Sequence, residues 1–225
     1  YTPAAGATTS TFTYTLVGTA PCINDASIAT VTITSAPTAG TNGTTVLCST
    51  SGTIDLFTQL GGAPDSGGTW SPALASGTGA FNPLVDLPGI YTYTINIPGC
   101  AITNATVNVT VNPQPNAGTD GNTTVCDNSV AAIDLFSLIT GEQAGGTWTQ
   151  TSGTGGTFNA AAGTYTPAAG ATTSMFTYTL VGTAPCVNDT SIATININPQ
   201  PNAGTDGNTT VCDNSVAAID LFSLI

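Results

Sequence analysis

Apolar and polar residues alternate with a period of two along the clearest stretches of the chain. In Ile90–Ile97, Tyr91, Tyr93, Ile95 and Ile97 alternate with Thr92, Thr94 and Asn96. In Ala105–Val111, Ala105, Val107, Val109 and Val111 alternate with Thr106, Asn108 and Thr110. The pattern returns with Phe176, Tyr178 and Leu180, and then with Ala193, Ile195 and Ile197. Strict alternation predicts strands with one buried and one solvated face. Thr, Val, Ile and Tyr suit such strands. Gly- and Pro-containing breaks such as Pro88-Gly89 and Pro98-Gly99 separate them.

The pattern is repeated because the sequence is. Asn112–Ile139 returns letter for letter as Asn198–Ile225, and Tyr1–Thr30 matches Tyr165–Thr194 at 27 of 30 positions. Two cysteine series, Cys22, Cys100, Cys186 and Cys48, Cys126, Cys212, both step by 78 and then 86 residues. Repeats at such a period are read as an array of units. The expected organisation is residues 1–35 as the C-terminal part of one unit, 36–114 and 115–200 as complete units, and 201–225 as the start of another. The chain is expected to be a window on a longer array.

One unit reads as a Pro/Asn/Gly lead-in (Pro113–Gly121) followed by a short strand ending at a cysteine (Thr123–Cys126). Ile133-Asp134-Leu135-Phe136 and its mate Ile54-Asp55-Leu56-Phe57 fit either a strand or one helical turn. Gly-Gly-Thr-Trp follows, then a Gly-rich hairpin, then the two long strands with a cysteine between them. Several short strands joined by turn residues predict an all-β fold of tandem β-sandwiches, each of about 80 residues. Trp70, Trp148, Tyr93 and Tyr178 are the expected core anchors. Asn112-Pro113-Gln114-Pro115 is expected to stiffen the joint between units, because both prolines fix φ and bias the preceding residue to extended geometry. An extended rod or filament follows as the expectation.

Regular cysteine spacing without CxxC or Cys/His clusters favours disulfides, hence an oxidising, extracellular setting. Cys100 ends the penultimate strand, and Cys48 is expected at the same pole of the unit. The expected bridges are therefore Cys48–Cys100 and Cys126–Cys186, with Cys22–Cys48 and Cys100–Cys126 as the alternative.

Composition narrows the chemistry. The chain has no Lys, Arg or His, against 11 Asp and one Glu, for a net charge of −12. A basic footprint for nucleic acid or anionic lipid is excluded. So are His-based catalysis and cationic anchors for phosphate. No stretch is apolar for the roughly 20 residues that span a bilayer. No enzyme activity is expected: Glu142 has no counterpart in the preceding unit, so a paired-carboxylate site lacks support. Asp120, Asp127 and Asp134 are weak calcium candidates, since oxygen ligands suit Ca²⁺; Asx-turns are the competing reading. No other cofactor is expected. The Thr/Asn faces of the long strands admit ice or sugar hydroxyls as ligands, or are solvated faces in a protein short of charge. Without lysines on its edge strands, the chain is open to β-pairing with other chains.

The motif Cys, Asp-Leu-Phe, Gly-Gly-Thr-Trp, Phe-Asn, Tyr-Thr-Tyr, Cys, Thr-Val-Asn-Val-Thr-Val-Asn-Pro resembles the Ig-like repeats of large flavobacterial (Bacteroidetes) surface proteins. These include gliding-motility adhesins and other type IX secretion substrates. The resemblance covers the whole chain. It implies export, a place at the cell surface, and a filament of many Ig-like units acting in attachment. Expected partners are further repeats of the same chain, other copies in a filament, and surfaces or polysaccharides. A carbohydrate-binding array is the alternative function, and an ice-binding Thr face a more distant one.

Overall fold

The computed structural model describes residues 1–214 and 217–225. It divides into two compact units, one of Tyr1–Gln114 with Thr183–Cys186, the other of Pro115–Gly182 with Val187–Ile225. Each holds an Ig-like β-sandwich built from the alternating stretches.

In the first unit, a lone antiparallel hairpin of β1 (Ser10–Leu16) and β2 (Asp25–Val31) precedes the sandwich. The sandwich strands are β3 (Gly43–Cys48), β4 (Ile54–Asp55), β5 (Thr69–Ser71), β6 (Ala80–Phe81), β7 (Gly89–Ile95) and β8 (Thr103–Asn112). One sheet has the order β3-β8-β7-β5, and β4 pairs with β6 opposite it. β7 and β8 are an antiparallel hairpin, whereas β3 runs parallel to β8, with Cys48 opposite Asn112. The inward residues of the two long strands, Tyr91, Tyr93 and Ile95 with Ala105, Val107 and Val109, form the core with Leu56 and Phe81.

The second unit repeats the plan with β9 (Gly121–Cys126), β10 (Ile133–Asp134), β11 (Thr147–Ser152), β12 (Thr157–Asn159), β13 (Thr164–Thr166), β14 (Ser174–Leu180) and β15 (Asp189–Asn198). Its sheets are β11-β14-β15-β9 and β10-β13-β12, with β9 again parallel to β15 and Cys126 opposite Asn198. Phe176, Tyr178 and Leu180 of β14 and Ala193 and Ile195 of β15 bury against Leu135, Trp148 and Tyr165.

The ambiguous Ile-Asp-Leu-Phe piece is both things in succession. Ile54 and Asp55 pair as a strand, and Leu56–Gln59 then makes one 3₁₀ turn. The Asp55 carboxylate accepts the Phe57 N–H at 2.9 Å, and Asp134 accepts that of Phe136 at 3.0 Å. This side-chain bond takes up an N–H that the turn leaves unpaired. Leu56 and Leu135 are thereby aimed into their cores.

Candidate functional site

The parallel strand β3 decides the cysteine chemistry. Cys100 lies in the turn before β8, whereas Cys48 stands opposite the last residue of β8. Ten β residues, about 30 Å at ~3.3 Å each, separate these two ends. The expected Cys48–Cys100 bridge therefore does not form, because the first strand runs the opposite way to what that pairing needs. The same holds for Cys126, opposite Asn198, and Cys186, which precedes β15. Instead Cys48 is bonded to Cys186, 138 residues on, with the Cα atoms 4.9 Å apart. Cys22, Cys100, Cys126 and Cys212 are free thiols, so neither expected bridge nor the alternative pairs are present.

The bond sits in a small receptor. The Asn112 side-chain amide donates to the Ala184 carbonyl at 2.8 Å and to that of Thr183 at 3.4 Å. The Cys186 sulfur lies 3.3 Å from the Asn112 carbonyl, and the Cys48 sulfur 3.1 Å from Gln114 Oε1. The Gln114 N–H donates to Ser49 Oγ at 2.9 Å, which holds the linker against the end of β3. The segment Thr183–Cys186 thus belongs to the first unit by bonds as well as by packing. Asn112 and Gln114 were legible only as a linker. Asn-Pro-Gln recurs at Asn198–Gln200 as part of the exact repeat, and the sequence names no partner for it.

Tyr93, Tyr178 and Trp148 are buried. Trp70 is only half-covered: it packs on Tyr93, ring centroids 5.2 Å apart, and opens on a cleft of about 540 Å³ with Phe57, Asp55, Thr69 and Thr78. The strands that carry the two tryptophans also differ two residues on. Pro72 follows β5 directly, and a proline cannot donate to a ladder. Gln150 at the matching place pairs with Phe176, so β11 runs on through Ser152 beside Trp148.

The three candidate calcium carboxylates do not gather. Asp120 accepts the Ile192 N–H at 2.8 Å, and Asp134 caps its 3₁₀ turn. Asp127 is almost wholly covered and accepts the N–H groups of Gly170 at 3.1 Å and Gln200 at 2.9 Å. These bonds, that of Gly170 first, hold its carboxyl below the usual range. Among the described residues there is no group of three or more Cys, Asp or Glu side chains placed to hold a metal. In the first unit, burial, with the Asp86 carboxylate adding to it, pushes the Tyr91 phenol up.

No family model matches the chain. No curated protein matches it either. Among solved structures it is similar to an I-band fragment of titin, at 10% identity and a TM-score of 0.45, covering 78% of this chain and 70% of that one. It is also similar to the insect immune protein hemolin, at 12% identity and a TM-score of 0.40, covering 72% and 46%. An endo-fucoidan hydrolase of glycoside hydrolase family 107 is similar at 14% identity and a TM-score of 0.22, covering 85% and 34%. At these scores the Ig-like assignment rests on the strand order and cores described above.

Proposed function

We propose that this chain is a structural segment of a long extracellular surface adhesin or filament, whose Ig-like repeats space and present contacts and whose cysteines brace the array. The observation that carries this reading is the Cys48–Cys186 bond set within repeated β-sandwiches. Disulfides persist in oxidising surroundings, and a repeat array extends without a specialised active centre. The absence of Lys and Arg leaves no site for trypsin-like proteases, which suits a molecule exposed outside the cell. The sequence resemblance supports a flavobacterial source, type IX export and gliding-type attachment. Antibodies raised against the chain test the reading on cells that make the protein. Labelling of intact cells, with weaker surface attachment after deletion of the gene, is expected. Labelling only after permeabilisation would overturn it.

A second reading, carbohydrate binding, is favoured by one observation. The Trp70 cleft combines an aromatic face with the carboxylate of Asp55 and the hydroxyls of Thr69 and Thr78. Ligand pockets pair apolar walls with a few such polar groups. Titration of indole fluorescence with soluble polysaccharides checks it. Trp70→Ala should abolish any change, whereas a change that persists without Trp70 would exclude the cleft.

A further inference from the structure

The chain contains the receptor around Cys48 twice, but only one copy is filled. Around Cys126 three backbone N–H bonds match those around Cys48. The Ser49 N–H donates to the Asn112 carbonyl at 2.8 Å, and the Asp127 N–H to that of Asn198 at 3.0 Å. The Gln114 N–H donates to the Ser49 side chain at 2.9 Å, and the Gln200 N–H to that of Asp127 at 2.9 Å. The Ser51 N–H bonds the Cys48 carbonyl, and the Ser129 N–H that of Cys126. Cys126 is exposed and its thiol is free.

The occupant also exists twice. Thr183-Ala184-Pro185-Cys186, seated at Cys48, is identical to Thr19-Ala20-Pro21-Cys22. The two loops share their internal bonds. Cys186 N–H donates to the Thr183 carbonyl and Cys22 N–H to that of Thr19, both at 2.9 Å. Gly182 N–H donates to Asn188 Oδ1 and Gly18 N–H to Asn24 Oδ1, both at 3.0 Å. The second loop is therefore preformed, exposed, and carries a free cysteine.

We propose that the Cys126 receptor, with Asn198 and Gln200, takes the Thr19–Cys22 loop of a second copy of this chain and bonds it covalently through Cys22. The occupied copy at Cys48 shows what such a receptor holds: Asn198 donates to the carbonyls of the incoming loop as Asn112 does to those of Thr183 and Ala184. The oxidant is a small-molecule disulfide. The Cys126 thiolate attacks it, forming a mixed disulfide and expelling one thiolate, which takes up a proton. The Cys22 thiolate then attacks the Cys126 sulfur, forming the Cys22–Cys126 bond and expelling the second thiol. Two protein thiols lose two electrons and two protons, and the small disulfide is reduced to two thiols. This inference stands apart from the adhesion reading, since it concerns only which thiols meet.

The chain carries its own control. Cys212 has the same flanking sequence as Cys126 and is equally free and exposed, but it lies where no strand pairs beside it among the described residues. The test oxidises a mixture of isotope-labelled and unlabelled chain with 2-hydroxyethyl disulfide. This probe is neutral, and raised salt screens the repulsion between chains of net charge −12. Because the sequences around Cys126 and Cys212 are identical and release the same peptide, the two are read separately in Cys212→Ser and Cys126→Ser chains, with peptides released by a protease that cuts at aromatic or Asp positions and read by mass spectrometry. Mixed-label Cys22–Cys126 peptides should exceed Cys22–Cys212 peptides about tenfold. Asn198→Ala should remove that preference without changing the rate at which iodoacetamide alkylates Cys126. Equal linkage to Cys126 and Cys212, linkage within one chain, or hydroxyethyl adducts alone at Cys126 would overturn the proposal.

Discussion

The Tyr178 hydroxyl donates to the Gln143 carbonyl at 2.8 Å and accepts the Gly146 N–H at the same distance. Tyr93 does the same in the first unit, donating to the Asp65 carbonyl at 2.9 Å and accepting from Gly68 at 2.8 Å. One phenol thus pairs two backbone groups of the loop that precedes the Trp strand. A close-packed ring keeps the hydroxyl in place: Phe136 and Trp148 lie 5.3 Å and 5.2 Å from Tyr178. Tyr178→Phe leaves both groups without their partner and should cost roughly 1–3 kcal/mol. Urea unfolding followed by Trp148 fluorescence, in a Trp70→Phe background, measures it. An unchanged midpoint would show that the loop finds its bonds elsewhere.

Gly121 and Gly43 open the first strand of each repeat where it passes the 3₁₀ turn. A Cβ on Gly121 would strike the Leu138 carbonyl oxygen, and one on Gly43 that of Gln59. Both obstacles are backbone, so no rotamer change relieves them. Gly121→Ala should cost about 1–3 kcal/mol as overpacking, a fall in Tm of about 5–20 °C for a unit of this size. Gly52→Ala serves as the control, since it meets nothing within 4 Å. Calorimetry in which both variants shift Tm equally would refute the steric argument.

The strands were legible because period-two alternation needs only local sequence. Burial was less so, because it depends on what else is present. Phe12 and Tyr14 occupy the same places in a nearly identical sequence as Phe176 and Tyr178, yet they are 42% and 67% exposed against 0% and 1%. The β1–β2 hairpin forms with the same register, but among the described residues no facing sheet covers it. Asn198–Ile225 is identical to Asn112–Ile139, yet keeps the capped 3₁₀ turn at Asp220 while no strand forms after Asn198 among its described residues. The cap is made within three residues and survives alone. β9 needs β15 as its neighbour. The cysteine pairing was misread for the same reason: alternation carries no strand direction, and the parallel run of β3 on β8 sets which end of the unit holds Cys48. The role of Asn112 was hidden likewise, since its partners Thr183 and Ala184 lie 71 and 72 residues away.

Asp127 makes the second repeat sensitive to acid. Its carboxyl is lowered in the folded chain, chiefly by the Gly170 and Gln200 N–H bonds. A group lowered on folding adds stability that is fully present above its unfolded value, about 3.9, and is lost as pH falls through the folded value. Unfolding midpoints should therefore be flat near neutral pH and fall below about pH 4. Asp127→Asn should lower stability at neutral pH and flatten that acid limb. Ser49, the matching residue of the first unit, accepts from Gln114 with an uncharged hydroxyl and contributes no such limb. An acid limb as steep in Asp127→Asn as in the wild-type chain would assign the effect to other carboxylates.

Reduction should act through one bond. Cys48–Cys186 closes a stretch of 138 residues, so the unfolded chain gains much freedom when it opens. Loop-entropy arithmetic puts the upper limit at about 5 kcal/mol, with smaller measured values usual. A phosphine reductant at neutral pH should lower the urea midpoint of the wild-type chain. Cys48→Ser should show the lowered midpoint already and gain nothing further from the reductant. Cys100→Ser removes a thiol that is free, near the Ser35 carbonyl at 3.8 Å, and should behave as wild type in both conditions. If Cys100→Ser abolished the response to reductant instead, the bond in solution would run through Cys100, and the strand-direction argument would fail with it.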